Sequence, residues 1–134
     1  MDINLQGKHA LVCGSSQGIG KACAIELASL GANVTLFSRN KTALESVLAE
    51  LNTEQDQQHQ VLVADFSQPE QVRKVINEHV TNHAPYEILI NNTGGPAPGL
   101  ANTSDSSAFI DAFNLHLVSN HHLVQALISG MKYK

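Results

Sequence analysis

Short runs of consecutive apolar residues alternate along the chain with longer segments in which apolar residues recur every three or four positions. The runs predict buried strands over residues 9–13, 33–38, 61–64 and 88–90. The periodic segments predict helices over residues 18–30, 42–51, 67–83 and 105–131. Because neighbouring parallel strands must be joined by crossovers, this fourfold alternation predicts an α/β fold with a parallel sheet.

The segment between the first strand and the first helix contains three glycines, Gly14, Gly18 and Gly20. Their spacing allows a strand to turn sharply, a backbone to approach a ligand and a helix to pack closely on the strand. The start of such a helix carries unpaired N–H groups and the positive end of a dipole, so a pyrophosphate is its natural ligand. With right-handed crossovers, we expect the strand order 3-2-1-4.

The other three strands also end in polar residues: Ser38 and Arg39, then Asp65, then Asn91 and Asn92. The carboxyl ends of parallel strands lie at one edge of the sheet, where ligands bind in this architecture. We therefore expect these side chains to share one site with the glycine turn.

Arg39 decides the expected cofactor. A dinucleotide without a 2′-phosphate is normally held by an acidic residue at the end of the second strand. Here that position is Ser38, and the adjacent Arg39 offers a planar cation suited to bidentate phosphate contact. The sequence thus favours NADP over NAD, the alternative being that Arg39 is only a solvated surface residue.

Taken together, the motifs Gly14-Ser-Ser-Gln-Gly18-Ile-Gly20, Asp65 and Asn91-Asn-Thr-Gly94 resemble the short-chain dehydrogenase/reductase family. The chain looks most like the 3-oxoacyl-[acyl-carrier-protein] reductase type. The resemblance implies a Rossmann-type, doubly wound α/β/α fold. It also implies an NADP-dependent oxidoreductase that transfers a hydride between the nicotinamide and a ketone or secondary alcohol.

The resemblance also implies roles for individual residues. Asp65 and Phe66 would border the adenine, Asn91 and Gly94 would contact the ribose side and shape the nicotinamide pocket, and Asn114 would hold a water in the proton relay. The pyrophosphate would be lined by the residues of the glycine turn: Gly14, Ser16, Gln17, Gly18, Ile19 and Gly20.

The chain departs from the family pattern at three points. Cys13 stands where the family usually has Thr, and Thr93 replaces an Ala. The family's Ser and its Tyr-x-x-x-Lys helix do not occur, since Tyr133 and Lys134 are adjacent. Phenol and ammonium must face the substrate from one helical surface, so we expect residues 1–134 to be an NAD(P)-binding domain cut short before the catalytic part, inactive alone.

Composition excludes several classes of protein. A net charge of -4 with only 8 Lys and Arg argues against nucleic-acid binding. No apolar run approaches the roughly 20 residues of a membrane span, and the first residues lack a secretory pattern, so we expect a cytoplasmic protein. Cys13 and Cys23 are expected as reduced thiols. His116 and His121 are five positions apart on one helix and diverge, so no metal site is expected.

Two further expectations concern partners and function. The helix over residues 105–131 is apolar on nearly all sides, and the strand over residues 88–90 lies at an edge of the sheet. We expect two copies to pair through that helix or through that strand, in a homodimer or homotetramer. The alternative to an enzyme is a dinucleotide-binding module without catalysis, such as a regulatory sensor. A flavin- or sugar-nucleotide-binding domain is disfavoured by Asn91-Asn92 and the spacing of the glycines.

Overall fold

The computed structural model describes residues 1, 3–95 and 97–133. Their strands form one parallel sheet in the order β3-β2-β1-β4, which confirms the predicted α/β fold and strand order. The strands are β1 (His9–Cys13), β2 (Asn33–Ser38), β3 (Gln60–Val63) and β4 (Ile88–Ile90). The helices are α1 (Gly18–Ser29), α2 (Lys41–Leu48), α3 (Pro69–Thr81), α4 (Ser106–Phe113) and α5 (Ser119–Lys132).

Helices cover the sheet on both faces, because each strand is apolar on both sides. One layer joins α1 and α2 to the sheet through Ala24, Ala28, Leu44 and Val47. The other layer joins α3 and α5 to the opposite face through a second cluster that includes Val72, Ile76, Leu123 and Leu127. The sheet is thus enclosed in three layers, and the carboxyl ends of its strands stay open at one edge.

The pattern Ser67-Gln-Pro-Glu70 predicts a capping box with Ser67 as the N-cap of α3, and this prediction is wrong. The residue that precedes α3 is Gln68, and Pro69 begins the helix. The Ser67 hydroxyl donates instead to the Asp65 carboxylate at 2.7 Å, and Glu70 forms an ion pair with Arg73 at 3.3 Å. Asp65 lies two residues before Ser67, so its carboxylate competes for that hydroxyl before a helix end can use it.

The helix predicted over residues 105–131 is observed, but its hydrogen-bonding pattern changes once along its length. A π-helical turn, Asn114–Val118, joins α4 to α5, and the Ser119 N–H donates to the Asn114 carbonyl five residues earlier. The inner side of this segment is buried, since Leu123 and Leu127 pack in one cluster with Val72 and Ile76 of α3. The outer side of α4 and α5 exposes six apolar residues: Phe109, Ile110, Phe113, Leu117, Val124 and Ile128.

Both cysteines are free thiols, as expected, with Cys13 buried under the sheet edge and Cys23 half-buried on α1. No helix among the described residues is long and apolar enough to cross a membrane.

Candidate functional site

A cleft of about 510 Å³ runs along the carboxyl edge of the sheet. All four strands contribute to it through the loops that follow them. Most of the predicted site residues line it: Gly14, Ser16, Gln17, Gly18, Ile19, Ser38, Arg39, Asp65, Phe66, Asn92 and Gly94.

The centre of the cleft is the glycine turn between β1 and α1. Gly18 has a φ of +59° and nothing within 4 Å of the place where a side chain would begin, so the space above it is open to a ligand. Gln17 precedes α1 in extended conformation and makes no side-chain cap hydrogen bond. The first N–H groups of α1 therefore lack a protein cap and can bind an anion.

The part of the cleft beside β2 combines a buried hydroxyl with an exposed cation. Ser38 is 8% exposed, and its Oγ has no hydrogen-bond partner within the described part of the chain. Arg39 is exposed and forms no ion pair with any described residue. The Asn40 side chain accepts from the Ala43 N–H at 3.0 Å and so fixes the turn into α2. The Ser38 hydroxyl and the Arg39 guanidinium can thus donate hydrogen bonds to an anionic ligand.

The end beside β3 is formed by Asp65 and Phe66. The Asp65 carboxylate accepts from the Ser67 N–H at 2.9 Å as well as from the Ser67 hydroxyl. The Phe66 ring is buried and packs edge-on against Phe37, with 5.0 Å between ring centroids. The Phe66 side chain therefore serves the core, and it is mainly the backbone there that can border a ligand.

The end beside β4 is tied to its surroundings by two side chains. Asn92 donates from Nδ2 to the Gly14 carbonyl at 3.3 Å. Thr93 shares a hydrogen bond of 2.7 Å between its Oγ1 and the Nδ1 of His116 in the π-helical turn. Gly94 and Gly95 follow in an exposed segment.

Three predicted site residues do not line the cleft. A side chain at Gly20 would overlap the Gly14 carbonyl, so Gly20 serves close packing of α1 under the turn. Asn91 is exposed and does not line the cleft, whereas Asn92 does. Asn114 begins the π-helical turn, where its neighbour Leu115 reaches the cleft instead.

Sequence reasoning missed six residues that line the cleft: Asn40, Ala43, Ser67, Thr93, Gly95 and Leu115. Asn40, Ser67, Thr93 and Gly95 are neighbours of predicted residues, and their position after a strand end could have included them. Leu115 carried no such signal, because the π-helical turn that brings it to the cleft has no pattern in the sequence.

Cys13 lies directly before the glycine turn but has no chemical role there. Its burial raises the pKa of the thiol far above the ordinary value, so it stays protonated. Among the described residues, no group of three His, Cys, Asp or Glu side chains is arranged to hold a metal ion. The cleft can bind a ligand through backbone N–H groups, hydroxyls, amides, the Asp65 carboxylate and the Arg39 guanidinium.

The cleft fits a nicotinamide dinucleotide in its chemistry. Open backbone N–H groups at the start of α1 suit a diphosphate. The Ser38 hydroxyl, which has no partner among the described residues, lies beside Arg39 and suits a further phosphate. The β3 and β4 ends extend the cleft to either side of these groups, as an elongated ligand requires.

Known proteins resemble this chain over nearly its whole length. It is 35% identical over 130 residues to the 3-oxoacyl-[acyl-carrier-protein] reductase of Pseudomonas aeruginosa, which covers 96% of this chain and 52% of that protein. It is 32% identical over 131 residues to the human inactive hydroxysteroid dehydrogenase-like protein 1, covering 96% of this chain and 39% of that protein. The chain thus spans about half or less of the length of these relatives.

A solved structure shows the same fold. The L-sorbose reductase of Gluconobacter frateurii, in complex with NADPH and L-sorbose, superposes with a TM-score of 0.89 at 26% identity, covering 99% of this chain and 51% of that one. The family model for short chain dehydrogenases matches residues 8–134. The chain therefore belongs to the short-chain dehydrogenase family.

Proposed function

We propose that this chain is the cofactor-binding part of an NADP-dependent oxidoreductase. The whole protein would transfer a hydride between the nicotinamide and a ketone or secondary alcohol, as a 3-oxoacyl reductase does. The observation that carries the proposal is the continuous cleft in which an open helix start lies next to Ser38 and Arg39. The likeness to a sugar reductase crystallised with NADPH supports the same reading.

The strand order suggests how the cofactor would lie. From one side to the other, the strand ends follow the order β3, β2, β1, β4. Asp65 and the Phe66 backbone would take the adenine, Ser38 and Arg39 the 2′-phosphate, and the glycine turn with Ser16, Gln17 and Ile19 the diphosphate. Asn92 and Gly94 would border the nicotinamide side. Each group of an extended dinucleotide then meets residues of matching chemistry.

NADP is proposed over NAD because of the groups after β2. An NAD-binding site would place a carboxylate there to accept from the ribose hydroxyls. Ser38 and Arg39 instead provide a hydroxyl and a cation, and neither has another partner among the described residues. A 2′-phosphate would satisfy the Ser38 hydroxyl, whose burial without a partner is otherwise unfavourable.

The residues described here would bind and orient rather than transfer protons. When bound, the cofactor supplies the hydride. Asn114 is proposed to hold a water of the proton relay from the π-helical turn, behind the cleft wall. The family's Ser and Tyr-x-x-x-Lys do not occur in residues 1–134, so no proton donor or acceptor is assigned among them.

A second candidate is a dinucleotide-binding module without catalysis, such as a sensor. It is supported by the similarity to the human relative whose printed name calls it inactive. This module would bind NADPH as the enzyme does, but no carbonyl compound would be reduced by the whole protein. Turnover of NADPH by the full-length protein with a panel of ketones separates the two functions.

We also propose that two copies associate through the outer side of α4 and α5. The six apolar side chains exposed there are too many for an ordinary solvated surface. A second copy is the simplest occupant, because a twofold axis brings the same apolar stripe onto itself.

We propose that the protein acts in the cytoplasm, a location with which its two free thiols are compatible.

Cofactor binding tests the proposed function directly. NADPH and NADH are titrated by calorimetry into the chain and into the Arg39→Ala variant. We expect NADPH to bind the wild-type chain more tightly, and Arg39→Ala to weaken NADPH by about 10-fold to 100-fold with NADH unchanged, since hydrogen bonds to charged groups are worth about 1.5–3 kcal/mol.

Arg73→Ala is the matched control, because Arg73 is also exposed but lies on α3 in an ion pair with Glu70. It should change neither affinity. Equal weakening of NADPH and NADH by Arg39→Ala would remove the 2′-phosphate assignment. The absence of binding of either cofactor would overturn the proposed function.

A further inference from the structure

His116 is a partly buried histidine that belongs to no predicted site, yet it contacts the wall of the cleft. Its Nδ1 lies 2.7 Å from the Thr93 hydroxyl, and Thr93 lines the cleft after β4. The two residues are 23 positions apart, so this hydrogen bond joins separate parts of the fold. It connects the loop at the nicotinamide side to the π-helical turn that contains Asn114.

The loop after β4 has few other attachments. Asn92 is held by the Gly14 carbonyl at 3.3 Å, which is a long hydrogen bond. Beyond Thr93, a side chain at Gly94 or Gly95 would find nothing within 4 Å. Within the part of the chain that the structure describes, the Thr93 side chain therefore makes the last side-chain hydrogen bond of this loop before Gly94 and Gly95.

The π-helical turn offers a firm base for this tie. The Asn120 side-chain amide donates to the His116 carbonyl at 2.8 Å, and the Ser119 N–H closes the turn on the Asn114 carbonyl. Ser119 is itself fully buried and donates from Oγ to the Phe66 carbonyl at 2.7 Å. The backbone that carries His116 is thus fixed both within its helix and to the β3 end of the cleft.

We propose that His116 is a positioning residue that acts through Thr93 to hold the loop from Asn92 to Gly95 against the nicotinamide end of a bound dinucleotide. This inference rests on the proposed function. The hydrogen bond connects the loop to the turn that contains Asn114. The position of the nicotinamide would therefore depend on His116, which lies outside the cleft. The adenosine end of the site, at β2 and β3, does not depend on it.

Two ligands separate this role from a general effect on folding. NADPH spans the whole cleft, whereas adenosine 2′,5′-bisphosphate carries only the adenosine end. His116→Leu should weaken NADPH by about threefold to tenfold, the range for one neutral side-chain hydrogen bond, and leave adenosine 2′,5′-bisphosphate within about twofold of the wild-type chain. His116→Asn, whose amide can reach the place of Nδ1, should restore most of the NADPH affinity.

A measurement without ligand provides an independent readout. Backbone nitrogen-15 relaxation of the amides at residues 92–95 should give lower order parameters in His116→Leu and in Thr93→Val, while the amides of β1 and β2 keep theirs. Thr93→Ser retains the hydroxyl and should give the order parameters of the wild-type chain.

The outcomes distinguish this inference from the function on which it rests. Equal losses for both ligands in His116→Leu, or unchanged order parameters at residues 92–95, would overturn the positioning role and leave cofactor binding intact. A wild-type chain that binds neither ligand would overturn the proposed function and this inference together.

Discussion

The side-chain amide of Asn92 donates a 3.3 Å hydrogen bond to the main-chain carbonyl of Gly14, 78 positions earlier. The contact links the end of β4 to the glycine turn after β1. A side chain on Gly14 would lie 2.5 Å from the Asn92 carbonyl oxygen, so the two segments are also in close contact. The central and outer parts of the cleft are therefore positioned relative to each other by this pair.

Replacing Asn92 by Ala should destabilise the chain by about 0.5–1.5 kcal/mol, the typical value of one side-chain hydrogen bond, and should weaken NADPH binding. Asn91→Ala is the matched control, since Asn91 is the same residue type, exposed, and outside the cleft. It should change the free energy of unfolding by less than about 0.5 kcal/mol. Urea denaturation measures both, and equal effects would contradict the assignment.

Ser38→Ala should weaken cofactor binding without destabilising the ligand-free chain. The buried Ser38 hydroxyl has no partner among the described residues, so its removal should leave the ligand-free chain as stable as before or up to about 1 kcal/mol more stable. The same variant should weaken NADPH and leave NADH unchanged, which calorimetry can measure.

Ser15→Ala is the control for a buried serine whose hydroxyl is used. The Ser15 Oγ accepts from the Phe37 N–H at 3.0 Å, and both groups are buried. Its loss leaves a buried donor unpaired and should cost about 1–3 kcal/mol. If Ser38→Ala destabilises the chain as much as Ser15→Ala, then Ser38 has a structural partner and the proposed phosphate role loses its support.

Tyr86 should make the fold sensitive to high pH. Its hydroxyl donates to Thr35 Oγ1 at 2.8 Å, and burial raises the pKa of Tyr86 to about 12. The unfolded chain releases this proton near the ordinary value of 10, so stability is lost as the pH rises from 10 towards 12. Tyr86→Phe should reduce this alkaline loss in urea titrations, while the buried Cys13 thiol, whose pKa burial also raises, should leave a residual loss. An alkaline loss as large as in the wild-type chain would contradict the assignment.

His79 should make the stability of the fold sensitive to mildly acidic pH. Burial, and secondly the charge of nearby His83, lower the pKa of His79, whose Nε2 lies 2.7 Å from the Tyr86 hydroxyl. The unfolded chain then binds a proton more readily than the folded one, so stability is lost as the pH falls below about 6.5. His79→Gln should reduce this acid loss, measured by denaturation between neutral and mildly acidic pH.

Self-association should depend on the outer side of α4 and α5. Phe109→Asp combined with Phe113→Asp places two charges in that apolar stripe and should shift sedimentation towards the monomer. Leu100→Asp is the control, because Leu100 is exposed and apolar but precedes α4. A wild-type chain that sediments as a monomer at every concentration would contradict the proposed interface.

The sequence was sufficient to predict features that depend on local pattern. The strands β1, β2 and β4 lie at the predicted residues, because runs of apolar residues have one stable place in a parallel sheet. The start of α1 at Gly18 also follows from its glycines, and both motifs and strand order agree with the family. These features need no knowledge of distant contacts.

Competition between neighbouring polar groups was harder to predict. Ser67 has the spacing of a helix cap, but its hydroxyl binds the Asp65 carboxylate. Asn91 and Asn92 are the same residue type, and only the direction of β4 decides that Asn92 faces the cleft. In both cases two local arrangements differ by roughly the energy of one hydrogen bond, too little for a sequence pattern to rank.

By itself, the sequence determined which segments form the sheet, the edge at which the cleft opens and the chemical character of its walls, because periodicity and glycine spacing act over a few residues. Only the tertiary structure decided that α4 and α5 are joined by a π-helical turn and that His116 meets Thr93. It also decided that Gly20 supports the glycine turn by packing beneath it. Such contacts depend on how two distant segments pack within an ångström, and no local pattern encodes that distance.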